Sequence, residues 1–205
     1  MTDKGIPNAV MKRLPLYLHF LRTLRADEKT TIASATIAKA LKLGDVQVRK
    51  DLALVSGSGK PKIGYFVAEL ITHIEQTLGS GDTTRAVIVG AGKLGKALLY
   101  YDCFHEFGID ICAAFDRDES KCGKFDGGKT ILPVSELESF CKENKVKIGI
   151  ITVPEKEAQS VCDSLVNAGV IAIWNFAPAS LIVPESVKVK DENLAASLAV
   201  LTACL

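Results

Sequence analysis

The sequence predicts an α/β protein in which a small helical domain precedes a doubly wound parallel sheet. Apolar residues recur at helical spacing through the first part of the 205-residue chain. From Arg85 onward, short β-branched apolar runs alternate with helix-forming segments, the order expected of right-handed βαβ units. A small polar stretch at 80–84 separates the two patterns and is typical of a linker. We therefore expect domains at 1–79 and 85–191 and a final helix at 192–205.

The composition excludes several classes of protein. The chain is 48% hydrophobic and 24% charged, and no apolar run approaches the roughly 18 residues that span a bilayer. The stretch from Met1 to Pro7 contains no apolar signal region, so we expect a cytoplasmic protein with no membrane contact. The 6 cysteines form no C-x-x-C pair and no metal-ligand spacing, which predicts structural thiols and no metal site. Cys122, in a polar loop, is the candidate for an exposed thiol.

The charge is distributed unevenly along the chain. Residues 1–80 carry 12 Lys and Arg against 7 Asp and Glu, whereas the remaining residues carry 13 against 17. A basic first part joined to an acidic second part predicts that only the first part meets a polyanion such as double-stranded DNA.

The first part contains the pattern of four amphipathic helices. Leucines three and four residues apart predict the first helix over 14–24, with Pro15 in its first turn, where a missing N–H costs little. Ser34 is a suitable N-cap for the second helix, over 35–41. The fourth helix, over 67–78, ends at a glycine.

The second and third helices are joined by a short turn, Leu43-Gly-Asp45, which makes a helix-turn-helix pattern. The third helix, from about 46 to 55, turns its apolar residues to one face and leaves side chains suited to the major groove outside: Gln47, Arg49 and Lys50. A basic, glycine-rich loop follows and is typical of the wing of a winged helix, with DNA-binding candidates Lys60, Lys62 and Tyr65. A generic three-helix module with a solvated charged face is the alternative.

The second part begins with a G-x-G-x-x-G motif. An apolar run over 86–89 predicts a buried strand, and good helix formers resume at Lys96. Between them, the glycines permit a tight turn, the approach of a pyrophosphate and close packing of the helix on the strand. The motif predicts a Rossmann-like domain whose phosphate loop consists of Gly90, Ala91, Gly92, Lys93, Leu94 and Gly95.

An acidic residue stands where a dinucleotide-binding fold needs one. The apolar run from Ile109 to Phe115 ends in Asp116, about 20 residues after the last glycine, where an acid binds the adenosine ribose hydroxyls. Asp116 favours NAD(H), because a carboxylate repels a 2′-phosphate, whereas Arg117 makes that preference less sharp. The alternative is a glycine turn that binds nothing, with Asp116 as a strand-end cap.

The remaining elements complete the doubly wound pattern. A polar loop is expected over 117–129, and a capping box that starts at Ser135 opens a further helix. Strands are predicted over 147–153 and 170–176, with a helix over 155–167 between them. Ligands of such sheets bind beyond the carboxyl ends of the strands. Two segments there are therefore candidates for the cofactor site: Thr152, Val153 and Pro154, and Asn175, Phe176 and Ala177.

The stretch from Leu194 to Leu205 is almost wholly apolar. A helix that is apolar all round must be buried, and this one is too short to span a membrane. Such a helix is buried more readily in a partner than in its own domain, so we expect a homodimer. The alternative is a last helix packed on its own sheet.

The combination of these segments resembles the Rex family of redox-sensing transcriptional repressors over nearly the whole chain. The segments that carry the resemblance are Gln47-Val-Arg-Lys-Asp-Leu52, Gly64-Tyr65, Val89-Gly-Ala-Gly-Lys-Leu-Gly95, Phe115-Asp116, Thr152-Val-Pro154 and Asn175-Phe-Ala-Pro178. The resemblance implies a homodimer whose C-terminal helices are exchanged between subunits. It also implies that NADH releases palindromic operator DNA, that NAD⁺ permits DNA binding, and that no reaction is catalysed.

The chain departs from the family pattern at the positions of the switch. Some members hold the NAD⁺ state with an Arg, a Tyr and an Asp, and those positions are His19, Tyr101 and Asn193 here, so only the tyrosine is kept. An aromatic residue that the family places near the nicotinamide is replaced by Leu194. The resemblance assigns these four positions to the switch and the dimer.

Two other functions fit parts of the pattern, a small NAD-dependent oxidoreductase and a nucleotide-binding accessory protein. An oxidoreductase needs a proton donor or acceptor at the carboxyl end of a strand, and His19, His73 and His105 all lie elsewhere in the predicted elements. The accessory protein leaves the basic N-terminal part without a role. Turnover of a substrate with NADH would favour the oxidoreductase, and salt-dependent binding to a palindrome would favour the repressor.

Overall fold

A computed structural model describes residues 5–24, 30–79 and 83–203. The chain forms two compact units, Met1–Asp82 and Thr83–Leu205. Most of the predicted linker, residues 80–82, lies outside the described residues, and the first strand of the second unit already begins at Thr84.

The described part of the first unit consists of helices, as the apolar periodicity predicts, and of a small antiparallel sheet, which it does not predict. The apolar stripes form its core, in which Leu14, Leu18, Leu21, Val48 and Leu52 are fully buried. The elements are α1 (Asn8–Met11), α2 (Leu14–Thr23), β1 (Thr31–Ile32), α3 (Ser34–Leu41), α4 (Asp45–Ser56), β2 (Tyr65–Phe66) and α5 (Val67–Leu78), with β1 paired to β2. Pro15 lies in the first turn of α2, and Gly79 ends α5 in the left-handed conformation, both as predicted.

The prediction that Ser34 caps the second helix is wrong. The N-cap is Ala33, whose backbone is extended, so Ser34 is already the first helical residue. The Ser34 hydroxyl instead donates a hydrogen bond to the carboxylate of Asp45, at 3.2 Å. It therefore links the start of α3 to the start of α4.

The second unit is a doubly wound sheet with the strand order β5-β6-β4-β3-β7-β8-β9, in which every pairing except β5 with β6 is parallel. Its strands are β3 (Thr84–Val89), β4 (Ile109–Asp116), β5 (Gly123–Lys124), β6 (Thr130–Pro133), β7 (Ile148–Ile151), β8 (Ala172–Asn175) and β9 (Lys188–Asp191). The helices are α6 (Lys93–Leu99), α7 (Leu137–Glu143), α8 (Glu155–Asn167) and α9 (Leu194–Thr202). The order reverses between β3 and β7, which creates a crevice at their carboxyl ends, where ligands of such sheets bind.

Three short strands of this sheet were not predicted. β5 falls inside the segment 117–129 that the sequence assigns to a loop. β6 begins at Thr130, directly after that segment. β6 ends in a proline and buries only Ile131 fully, and β9 is an edge strand of alternating lysines, so neither has the apolar run of a central strand.

The capping box predicted at Ser135 is also wrong. A single turn of 3₁₀ helix, Val134–Glu136, precedes α7, and the N-cap of α7 is Glu136, without a side-chain capping bond. Ser135 lies inside the 3₁₀ turn, one residue too early to cap the α-helix.

The two faces of the sheet are covered differently. On one face, α7 and α8 bury a large core that includes Phe115, Leu137 and Leu165. On the other face, α6 covers β3 and β4 through Leu99. Over β7, β8 and β9, that second face keeps an open apolar pocket of about 260 Å³, lined in part by Phe104, Ile148, Ile150 and Trp174.

The described cysteines are free thiols, as predicted. Burial raises the pKa of Cys112 and of Cys141 to about 11, which suits structural thiols. Cys122, the candidate for an exposed thiol, is partly exposed and packs against the edge of the core. Cys204 lies outside the described residues.

Helix α9 buries none of its residues. Leu194, Leu198, Val200 and Leu201 are each more than half exposed, so the alternative of a helix packed on its own sheet is contradicted in the single chain. Within the described residues, no helix combines the length and the apolar character needed to cross a membrane.

Candidate functional site

The glycine motif forms the turn between β3 and α6. Gly90 has a φ of +104°, and a Cβ there would lie 2.9 Å from the carbonyl carbon and oxygen of Thr152. A Cβ on Gly95 would lie 1.9 Å from the carbonyl oxygen of Gly90, so close packing of α6 on the turn requires glycine at that position. Beside Gly92, by contrast, an added Cβ would meet no atom within 4 Å, which leaves its backbone open to a ligand.

Thr152 fixes this turn from the neighbouring strand. Its hydroxyl donates a hydrogen bond to the carbonyl oxygen of Gly90, at 2.7 Å. Thr152 directly follows β7, so this bond joins the carboxyl ends of the two strands between which the order reverses. The two sequence segments predicted to form the site, around Gly90 and Thr152, therefore meet.

Asp116 completes the same cluster from the end of β4. One carboxylate oxygen accepts hydrogen bonds from the backbone N–H of Ala91, at 2.8 Å, and from Lys121 Nζ, at 3.1 Å, and the other accepts from the N–H of Asp118, at 2.9 Å. Burial alone would raise the pKa of Asp116, but the hydrogen bonds from Asp118, Lys121 and Ala91 outweigh it and hold that pKa below its usual range. The carboxylate is therefore ionised at neutral pH, and it retains acceptor capacity for a ligand hydroxyl.

These residues border a cleft of about 720 Å³ at the carboxyl ends of β3, β4 and β7. Seven of the predicted cofactor residues line it: Gly90, Gly92, Asp116, Arg117, Thr152, Val153 and Pro154. Sequence reasoning missed eight others: Val89, Lys121, Val134, Leu137, Glu157, Ser160, Val161 and Ser164. The last four share one face of α8 at three- and four-residue spacing, a signal that the sequence contained.

A second cavity, of about 520 Å³, lies at the carboxyl ends of β8 and β9 and is lined in part by Leu94, Phe176 and Ala177. Asn175 does not reach it. Its side chain is fully buried, donates to the carbonyl oxygen of Ala179 and to the carboxylate of Asp191, and accepts from the N–H of Ala177. Asn175 thus shapes the rim of this cavity from behind it, and its contact with the ligand stays a prediction.

Three residues of the predicted phosphate loop line neither cavity, and one of them, Gly95, packs against the carbonyl oxygen of Gly90 within the turn. Ala91 is buried and contributes its backbone N–H to Asp116. Lys93 is the exposed first residue of α6. Among the described residues, no group of three or more His, Cys, Asp or Glu side chains could hold a metal ion.

In the first unit, α4 presents Arg49 and Lys50 to solvent while Val48 and Leu52 are fully buried, as predicted. A hydrogen-bonded network that the sequence did not reveal holds this helix on α2. Arg13 binds Asp51 in a bidentate ion pair, at 2.7 and 2.9 Å, and Tyr17 donates to the same carboxylate, at 2.7 Å.

The network raises the pKa of the Tyr17 hydroxyl and engages one predicted DNA-binding residue. Burial, together with the Asp51 carboxylate, raises the pKa of Tyr17 to about 12, so Tyr17 remains a hydrogen-bond donor. With its amide oxygen turned toward α2, Gln47 accepts hydrogen bonds from Arg13, at 2.9 and 3.2 Å. Gln47 is therefore tied to the network, although it lies on the exposed face of α4.

The basic loop after α4 forms a tight antiparallel turn. Lys60 and Gly64 exchange two backbone hydrogen bonds of 2.8 Å, and Lys62 lies between them with a φ of +64°. Both lysines are exposed, as a wing requires. Tyr65 is buried and packs beside Gly59, so it supports the turn, and its contact with DNA stays a prediction.

The predicted switch positions lie in both units. His19 is exposed on α2 of the first unit, and Tyr101 is exposed in the second unit, with its ring edge-on to Phe104 at 5.1 Å. Asn193 is the N-cap of α9 and accepts from the N–H of Ala196, at 2.8 Å, and Leu194 begins the exposed apolar surface of that helix.

Both units match known protein families. Residues 5–53 match the family described as "Putative DNA-binding protein N-terminus", and residues 82–179 match the family described as "CoA binding domain".

One curated relative and two solved structures cover nearly all of the chain. The redox-sensing transcriptional repressor Rex of Treponema denticola is 44% identical over 202 residues, which cover 98% of this chain and 96% of the relative. The crystal structure of RSP in complex with β-NAD⁺ and operator DNA is 33% identical, with a TM-score of 0.89, and the match covers 97% of this chain and 92% of that chain. The crystal structure of RSP in complex with β-NADH is 32% identical, with a TM-score of 0.85, and the match covers 98% of this chain and 94% of that chain.

Proposed function

The chain belongs to the Rex family of redox-sensing transcriptional repressors, and from this premise we propose that it binds operator DNA as a homodimer and is released by NADH. The observation that carries the proposal is the contact of three strand ends at one cleft. There the glycine turn, Asp116 and Thr152 are joined by hydrogen bonds at the point where the strand order reverses. Such a point is where doubly wound sheets bind dinucleotides.

The cleft fits the adenosine diphosphate part of NADH and NAD⁺. The open backbone at Gly92 is suited to a pyrophosphate, and the ionised Asp116 is suited to the ribose hydroxyls. The second cavity, with Leu94, Phe176 and Ala177, lies at the neighbouring strand ends and is suited to the nicotinamide part. Isothermal titration of the full chain with NADH tests this assignment, with saturable binding expected and no heat of binding contradicting it.

The cofactor acts as a signal in this proposal and is not consumed. The relatives are named for repression and not for a reaction. The family resemblance supports the same assignment, and the oxidoreductase alternative has no observation in its favour. Since a repressor acts where operator DNA is present, we place the protein in the cytoplasm.

The first unit is the proposed DNA-binding part. Arg49 and Lys50 on α4, and Lys60 and Lys62 on the adjoining turn, are exposed cations on the basic half of the chain. An exposed helix in a helix-turn-helix arrangement reads the major groove, while lysines on a wing bind phosphates. In the dimer, two such helices would meet the two halves of a palindrome.

Lys50→Ala is expected to weaken operator binding about tenfold, because each base or phosphate contact of this kind contributes about 1–3 kcal/mol. NADH affinity should stay unchanged, since Lys50 is in the other unit from the cleft. Fluorescence anisotropy with a labelled palindrome measures the first quantity and calorimetry the second. Lys39→Ala, which removes an exposed lysine from α3, is the control and should bind as the wild type does. Equal operator affinity in Lys50→Ala would remove this residue from the interface.

The homodimer is supported by two exposed apolar surfaces on the same chain. Helix α9 exposes leucine and valine side chains, and the second sheet face leaves Phe104, Ile148 and Trp174 around an open pocket. Exposed apolar surfaces of this kind mark interaction sites, and a second copy of the chain offers matching ones.

Leu198→Glu is expected to convert the dimer to a monomer, because the new charge would be buried at the interface formed by α9. Sedimentation velocity on the full chain measures the mass directly. Lys156→Glu, which introduces a glutamate at an exposed position of α8, is the control and should remain dimeric. A dimer that persists in Leu198→Glu would show that α9 is not the interface.

A further inference from the structure

The cofactor cleft contains two cations and two anions. Arg117 and Lys121 line it together with Asp116 and Glu157. Lys121 pairs with Asp116, at 3.1 Å, and lies 3.8 Å from Asp118. Arg117 pairs with Glu157. Each cation that lines the cleft is therefore neutralised by an acidic partner.

Arg117 and Glu157 reach their ion pair from different elements. Arg117 directly follows Asp116 at the carboxyl end of β4, and Glu157 lies in the first turn of α8. Both residues line the cleft, so their ion pair forms part of its wall and joins the end of β4 to the start of α8. The Arg117 side chain is 72% exposed, so little of it is packed against the protein. The ion pair with Glu157 is therefore the contact that fixes the position of its guanidinium.

The position of Arg117 has a chemical consequence for the adenosine ribose. A carboxylate at the end of this strand binds the 2′- and 3′-hydroxyls of NAD(H), whereas a neighbouring arginine accommodates the 2′-phosphate of NADP(H). A phosphate monoester carries a charge of about −1.5 to −2 at neutral pH, and arginine binds it with two parallel hydrogen bonds. Arg117 has the chemistry and the location for that contact, but its Nη1 donates to the carboxylate of Glu157, which holds the guanidinium in the ion pair.

We propose that Glu157 is a specificity-determining residue, which keeps the cleft selective for NADH over NADPH by holding Arg117 away from the 2′-position. The inference rests on the proposed function of the cleft and extends it to a residue outside the glycine motif. Asp116 and Glu157 then act together. Asp116 repels the phosphate, and Glu157 withholds the cation that would attract it.

The test compares NADPH and NADH affinities of the full chain by isothermal titration. Glu157→Gln keeps the size of the side chain and removes the charge that holds Arg117. We expect it to raise the affinity for NADPH relative to NADH roughly tenfold, the effect of one charge-assisted hydrogen-bonded contact. In the double variant Glu157→Gln with Arg117→Gln, the gain should be lost, because the freed guanidinium is gone.

Glu155→Gln is the matched control. Glu155 is exposed in the same first turn of α8 but does not line the cleft, so its variant makes the same change in net charge near the same helix end. We expect its ratio of affinities to equal that of the wild type.

Three results would overturn the inference. These are an unchanged ratio in Glu157→Gln, an equal gain in Glu155→Gln, and a gain that survives the loss of Arg117. The wild-type titration with NADH separates this inference from the proposed function. Absence of NADH binding there refutes both, whereas normal NADH binding with an unchanged ratio in Glu157→Gln refutes the inference alone.

Discussion

Gly95→Ala is expected to abolish measurable NADH binding and to destabilise the second unit by about 3 kcal/mol, the upper end of the cost of overpacking. The added Cβ would lie 1.9 Å from the carbonyl oxygen of Gly90, and a backbone atom cannot move aside as a flexible side chain can. Helix α6 would have to shift away from β3. That shift opens the turn in which Ala91 donates to Asp116 and Gly90 accepts from Thr152.

Two measurements check this expectation. Trp174, the single tryptophan of the chain, lies in β8, so its fluorescence reports the thermal unfolding of the second unit. The melting temperature is expected to fall by about 10 °C. Isothermal titration reports NADH binding.

Gly92→Ala is the matched control, because its Cβ meets no atom within 4 Å. Its melting temperature should equal that of the wild type. Its affinity for NADH should nevertheless be lower than that of the wild type, since the added methyl group takes space beside the phosphate loop. An unchanged melting temperature and NADH affinity in Gly95→Ala would show that the turn does not require glycine there.

Asp51→Ala is expected to destabilise the first unit by about 3 kcal/mol, the lower end of the cost of breaking a buried ion pair. The Asp51 carboxylate is almost fully buried, and it accepts hydrogen bonds from Arg13 and from the fully buried Tyr17. Its removal takes the buried acceptor from the Tyr17 hydroxyl and leaves the Arg13 guanidinium with its contact to Gln47 but without its carboxylate. Helix α4 then loses its fixed orientation on α2, so operator affinity should fall even though Asp51 itself is buried beneath the exposed face.

Hydrogen–deuterium exchange of the full chain measures the loss where it occurs. The amides of α2 and α4 should exchange about 100-fold faster, as a destabilisation of this size implies, while those of β3 and β7 stay protected. Glu75→Ala, which removes the exposed partner of Arg22, is the control and should cost less than about 1 kcal/mol. Similar exchange in Asp51→Ala and Glu75→Ala would contradict the assigned role of the buried network.

Much of the fold follows from local patterns, because the residues that determine it are close together in the chain. Each pattern that predicts an element lies within a single short segment of the sequence. Examples are the glycines of the turn, the apolar run before Asp116 and the stripe of leucines in α2. β6 and β9 lack such a signal because they lie toward the edges of the sheet, where a short or charged strand suffices.

The parts of the site that sequence reasoning missed depend on contacts between distant residues. Arg13 and Asp51 are 38 positions apart, and Arg117 and Glu157 are 40 apart, so no period or spacing connects them. Asn175 and Tyr65 show the converse error. Each lies at a position that suggested an exposed side chain, and each instead buries its side chain within its own loop.

The most direct test of the central claim is a titration of a labelled palindromic duplex of the Rex type with the full chain, followed by fluorescence anisotropy at fixed salt. NADH and then NAD⁺ are added to the preformed complex. NADH is expected to release the duplex and NAD⁺ to leave it bound, with an affinity that falls as the salt concentration rises. A complex that is indifferent to both cofactors, or a chain that does not bind the duplex at all, would contradict it.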